Sequence, residues 1–146
     1  MKSPESFPGR TIAENQSLLT SAARTETGTG DAVLLEGFEV LEFQLDVTAA
    51  ATEVGDTLDV YVQTTIDGTN WIDIVHFTQV VGNGGAKRYI SKVSASLALT
   101  EFEVGTALGA AAVRHLVGAQ YRVRWAVTDA STANASFTFS VTANGT

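Results

Sequence analysis

The chain contains no cysteine. That single absence removes a disulfide framework, a thiolate metal site and a catalytic thiol. Proline is nearly as scarce: Pro4 and Pro8 are the 2 in the whole sequence. Cations are few as well, with 9 Lys and Arg against 16 Asp and Glu, for a formal charge of -7. Binding to a phosphate backbone depends on clustered Lys and Arg that displace condensed counterions, so nucleic acid is not an expected partner. Long apolar runs are missing too. The longest, around Ala107 to Val113, falls far short of the roughly 20 residues that cross a bilayer, and no membrane association is expected. Met1 and Lys2 lead into the polar stretch Ser3-Pro4-Glu5-Ser6 rather than into the apolar run of a secretory leader. The expectation is therefore a soluble protein that is cytoplasmic at synthesis.

What the chain does hold is apolar material: 45% of its residues are hydrophobic and only 17% charged. Such a composition argues against intrinsic disorder and requires a core or an interface to absorb it. At 146 residues one domain suffices, since a chain of this size removes about 70% of its unfolded surface from water.

The first thirty residues differ from the rest. Both prolines fall there, and the Thr/Gly cluster Thr25-Glu26-Thr27-Gly28-Thr29-Gly30 closes the segment. Residues 1–30 read as an extended N-terminal arm, with one short edge strand between Gln16 and Ala23, and residues 31–146 as a single β-domain. The arm carries Phe7, Ile12, Leu18 and Leu19 among polar neighbours, a composition suited to ordering against a partner. Phe7, Arg10 and Ile12 are its candidate partner-binding residues.

Beyond the arm the period is two. Leu41, Phe43, Leu45 and Val47 share one parity, with Glu42, Gln44 and Asp46 on the other. Successive strand side chains point to opposite faces, so this spacing sends the apolar set to a core and the polar set to water. The same holds for Leu58, Val60, Val62 and Ile66 against Asp59, Tyr61, Gln63 and Thr65. Asp67-Gly68-Thr69-Asn70 then reads as a tight turn into a strand from Trp71 to Val81. Gly82-Asn83-Gly84-Gly85 reads as a hairpin tip before a further strand from Arg88 to Leu97. From Leu99 to Val117 neither period holds, and a long loop with a helical turn is expected. Tyr121, Val123, Trp125 and Val127 alternate cleanly, as do Phe137, Phe139 and Val141. A hairpin is expected to join these last two strands and to put Trp125 on one core with Phe137 and Phe139. The fold class is thus all-β: an antiparallel β-sandwich or barrel, jelly-roll or Ig-like in character.

Residues that could carry chemistry are sparse. His76 and His115 stand alone, without the spaced partners of a metal site; His76 is expected to face solvent or pack at a strand edge, and His115 to lie in a loop. Glu36, Glu39 and Glu42 are the densest carboxylates, but a three-residue spacing on a strand alternates faces and prevents convergence. The Asp67 turn lacks the repeated carboxylates of a calcium loop. The Gly82 cluster lacks the Lys-Ser/Thr of a phosphate cradle. No enzyme, cofactor or metal is expected. Tyr61 and Trp71 leave two readings open, since Trp71 either plugs the end of the core or joins a platform for sugar rings.

The stretch Gln63-Thr64-Thr65-Ile66-Asp67-Gly68-Thr69-Asn70-Trp71-Ile72-Asp73, with Tyr121-Arg122-Val123-Arg124-Trp125 and the ending Phe137-Thr138-Phe139-Ser140-Val141, resembles small virion proteins of tailed bacteriophages. Capsid decoration, or cement, proteins are the type it looks most like, over roughly residues 40 to 143. The resemblance implies a non-enzymatic virion structural protein that binds the major capsid protein on the outer surface of the capsid. It further implies a homo-oligomer, commonly a trimer, that stabilises the shell at symmetry junctions. A carbohydrate-binding β-sandwich module, a head-tail connector and a tail component are the alternatives.

Overall fold

The computed structural model describes residues 12–131 and 134–146. Eleven strands make up the structure: β1 (Ala13–Arg24), β2 (Gly28–Thr29), β3 (Val33–Leu34), β4 (Val40–Ala49), β5 (Thr57–Thr65), β6 (Trp71–His76), β7 (Val80–Val81), β8 (Lys87–Ser94), β9 (Ala112–Val113), β10 (Gln120–Thr128) and β11 (Phe137–Gly145). There is no helix among the described residues. The strands form two antiparallel sheets packed as a sandwich. The first has the order β1-β11-β4-β8, and the second runs β2-β10-β5-β6-β9, with β3 also on β10 and β7 also on β5.

The alternation of the sequence decides which side chains fill the space between the sheets. From the first sheet, Leu41, Phe43, Leu45 and Val47 of β4 and Phe137, Phe139, Val141 and Ala143 of β11 point inward and are buried. They meet Leu58, Val60 and Val62 of β5, Ile72 and Ile74 of β6, and Tyr121 and Val123 of β10. Each large side chain in this set contributes about 1.5–3 kcal/mol by leaving water. Tyr121 is the one with a polar tip. Its hydroxyl donates to the Gly118 carbonyl and accepts from the Gly118 amide, and burial pushes its pKa up to about 12.

Several expectations change on contact with the structure. The short edge strand of the arm is a twelve-residue strand, β1, bonded along β11. From residue 13 onward much of the expected arm is therefore woven into the sandwich: β1 closes one sheet and β2 lies on β10 in the other. The last two long strands do not form a hairpin. β10 pairs with β5, while β11 pairs with β1 and β4, so the connection between them crosses from one sheet to the other. Trp125 still meets Phe139, edge-on at 5.9 Å, but across the sandwich rather than along a sheet, and it is half-buried.

The Gly82–Gly85 cluster also crosses between sheets, since β7 lies on β5 and β8 on β4. It is pinned there by hydrogen bonds from the Gly82 amide to Asp56 and from the Asn83 amide to Ala51. The expected strand from Trp71 to Val81 is broken after His76. Ile66 falls beyond the end of β5 and is exposed, with Thr64 taking the inward position instead. The segment from Leu99 to Val117 is irregular, as expected, but holds only β9 and no helical turn.

Candidate interaction surface

The residues that alternate away from the core on the second sheet build a continuous polar and aromatic row. Register sets their order: Arg124 of β10 lies opposite Tyr61 of β5, Arg122 opposite Gln63, and Gln63 in turn opposite Asp73 of β6. Arg124 donates to both carboxylate oxygens of Asp73, at 3.4 Å from Nε and 2.9 Å from Nη2. Gln63 donates to Asp73 at 2.9 Å and accepts from Arg122 Nε at 2.8 Å. The Arg122 guanidinium lies over the ring of Trp71 at 4.3 Å, and that of Arg124 over Tyr61 at 3.7 Å. Burial, and secondarily the charge of Arg124, pulls Arg122 below the ordinary arginine value.

The other end of the row closes on His76. A bulge in the β5–β6 pairing, between Val62 and Gln63, leaves Ile74 and Val75 both in the core and brings His76 opposite Tyr61, where it is buried against Leu108. The His76 ring stacks on Tyr61 with centroids 4.0 Å apart. Its Nδ1 lies 2.8 Å from the Leu108 carbonyl and its Nε2 2.8 Å from Asp59 Oδ1. Both ring nitrogens are thus engaged, and the imidazole is held as a clamp between β5 and the 95–111 connection. Gln79 completes the Asp59 carboxylate at 2.9 Å. Burial first, and then the Asp59 charge, raises the pKa of Tyr61.

This geometry decides several candidates. Two rings or cations cannot share one aromatic face, so His76 and Arg124 cover both faces of Tyr61, leaving it no surface for a sugar ring. Trp71 is neither a core plug nor a bare platform; it is half-buried with Arg122 across one face. His115 accepts a hydrogen bond from the Ser94 amide at 3.1 Å, on a different element from the His76 contacts. Glu36, Glu39 and Glu42 are all exposed. Asp67 turns its carboxylate back on its own turn, accepting from the amides of Asn70 at 2.7 Å and Thr69 at 2.8 Å. Those bonds lower its pKa to about 2.

One carboxylate group went unremarked in the sequence because its members are far apart in the chain. Glu53, Asp56 and Asp129 bring oxygens within 4.8 Å of one another. Asp56 accepts from the Ala130 amide, Glu53 from the Ser131 hydroxyl, and Asp129 from the Ser131 and Ala135 amides. The trio thus fastens the β4–β5 turn to the β10–β11 connection.

Of the candidate partner-binding residues, Phe7 and Arg10 lie outside the described residues. Ile12 is 40% exposed, immediately before β1. It stands at the end of the sandwich where β11 finishes, because Ala13 pairs with Gly145. Leu34 (60% exposed) and Ile66 (75% exposed) stand at an end as well. They flank the start of β10, where Gln120 pairs with Leu34 and Tyr121 with Thr64. The two groups share that end, since Leu35 bonds to Ala119 while Glu39 and Val40 a few residues on bond to Thr146.

Comparison with known proteins gives no relative from which to read a function. No family model matches the chain, no curated protein matches it, and no solved structure matches it.

Proposed function

We propose that the chain is a non-enzymatic structural protein of a tailed-bacteriophage virion that binds the outer surface of the capsid and stabilises the shell at symmetry junctions. The major capsid protein is its partner, a homo-oligomer, commonly a trimer, is its working form, and the virion surface is its destination after synthesis in the host cytoplasm. The observation that carries this reading is the grouping of exposed Ile12, Leu34 and Ile66 at the end of the sandwich where the N-terminal segment enters. Exposed large apolar side chains that share one end of a small β-domain support a protein contact there. The resemblance of the β5–β6 hairpin and of β11 to small phage virion proteins supports the same reading. So does the outward face of the second sheet, where most of the ionisable groups are engaged with one another. A protein of this kind acts through contacts that exist only in the assembled lattice, so mass action converts its binding into shell stability.

The test is occupancy on purified capsid shells. Removal of residues 1–11, or the paired change Leu34→Glu and Ile66→Glu, is expected to abolish shell binding while the thermal melt of the free protein stays within a few degrees of the parent. Full occupancy by both variants would overturn the proposal.

A further inference from the structure

The outward face of the second sheet leaves one cation, Arg122, without a direct ion pair. Arg124 is ion-paired with Asp73, whereas Arg122 beside it hydrogen-bonds the neutral Gln63, lies over the ring of Trp71 and feels the Asp73 carboxylate only at a distance. Its Nε is used, and among the described residues no carboxylate or carbonyl takes up its terminal nitrogens. A half-buried guanidinium with its terminal N–H groups unused is complementary to a carboxylate, which it grips through parallel hydrogen bonds. The site has an aromatic border, since Trp71 lies under the guanidinium.

The same chain carries a segment of matching chemistry. In Glu101-Phe102-Glu103-Val104, the two glutamates are exposed and Val104 is 54% exposed. Phe102 is held in place by the Arg114 guanidinium, 4.1 Å over its ring. Arg114 directs its donors to the carbonyls of Asp73, Thr106 and Ala107. Among the described residues, Glu101 and Glu103 therefore form no ion pair, although the segment that carries them is anchored to β6. An anchored pair of acids beside an apolar side chain answers a cation without a direct ion pair beside an aromatic ring, and within one chain the two form no ion pair.

We propose that copies of this chain associate head to tail, with Glu101 and Glu103 of one copy against Arg122 of the next and Val104 seated beside Trp71. The contact joins two different surfaces, so it generates closed rings or open chains rather than two-fold dimers. It gives the self-association part of the function proposed above a specific contact and does not depend on capsid binding. Its charged component makes the association weaker at high salt.

Sedimentation equilibrium of the full chain without shells tests it. The parent is expected to self-associate, and at least tenfold more weakly after Arg122→Glu or after the pair Glu101→Arg and Glu103→Arg. All three changes in one chain are expected to restore association, because the charges then match again at every contact. The glutamate changes lie on an exposed loop, so they remain informative even where Arg122→Glu disturbs folding. A parent that stays monomeric across the concentration range, or self-association indifferent to all the reversals, would overturn the contact. Association that behaves as expected in a protein that does not bind shells would leave the contact standing and remove the capsid reading alone.

Discussion

The guanidinium of Arg24 lies 4.9 Å from the ring centroid of Trp125, joining the last residue of the edge strand of one sheet to the middle of a long strand in the other. It is also 4.7 Å from the ring of Phe139 and donates to the carbonyls of Thr20, Ala22 and Phe139, at 2.8, 3.1 and 2.8 Å. The β1–β11 register shifts between Leu19 and Ala22, which disrupts the ladder, and Arg24 supplies donors to carbonyls of both strands there. Trp125 is fixed from its other side, because its indole nitrogen donates to Glu26 at 2.8 Å and Gly28 lies against its ring. A β-carbon at Gly28 would come within 2.6 Å of that ring, so the position excludes a side chain.

Arg24→Ala removes these donors and the cation over two aromatic rings. Stability is expected to fall by about 1–2 kcal/mol, from the part-buried bond to Phe139 and the two cation–π contacts, since water takes over at the exposed Thr20 and Ala22 carbonyls. Arg24→Lys is expected to recover only part of this, since a compact ammonium cannot span carbonyls on two strands and stack as well. Urea melts of the two variants against the parent check the order; equal stability of all three would refute the clamp.

Acid should weaken the β5–β6 turn in a predictable window. The Asp67 pKa is lowered to about 2 by hydrogen bonds from Asn70, Thr69 and Thr65. A carboxylate whose folded value lies below its unfolded one stabilises the fold fully above the unfolded value, about 3.9. That contribution is lost as pH falls through about 2. Side-chain carboxyl shifts followed by NMR from pH 5 downward are expected to show Asp67 as a late titrator, and a midpoint near the ordinary aspartate value would contradict the turn geometry.

His76→Phe keeps an aromatic ring against Tyr61 while deleting both hydrogen bonds that tie β5 to Leu108. The expected result is faster amide exchange between residues 103 and 111, with a global loss of about 1–3 kcal/mol from the stranded Asp59 and Leu108 acceptors. Hydrogen exchange read by mass spectrometry separates the two effects. Unchanged protection of that segment would show that Arg114 alone holds it.

How far the sequence could be read is clearest at β4 and at the end of the chain. In β4 the strict alternation of Leu41, Phe43, Leu45 and Val47 with polar residues identified the strand and its buried face, and all four are buried. For Tyr121 to Val127 and Phe137 to Val141 the alternation was equally clear, yet their pairing was misread, because adjacency in sequence favours a hairpin and the chain instead changes sheets. Trp125, placed in the core by parity, packs against its edge through Phe139 and is only half-buried. The row from Trp71 to Asp59 was visible only as scattered polar positions. Its members come from β5, β6 and β10, and no local pattern announces that Arg124 meets Asp73 or that His76 reaches Leu108.

The sequence by itself therefore determined the all-β class, the buried faces of the long strands and the conformation of the Asp67 turn, since each depends on chemistry within a few residues. Tertiary structure alone decided which strands are neighbours, which sheet each joins, and which charges are neutralised. Those outcomes rest on contacts between segments far apart in the chain, as in the bond from the Asn15 amide to Asn144, 129 residues away. Such contacts are selected by the best joint packing of all the strands, a comparison that no single stretch of the chain encodes.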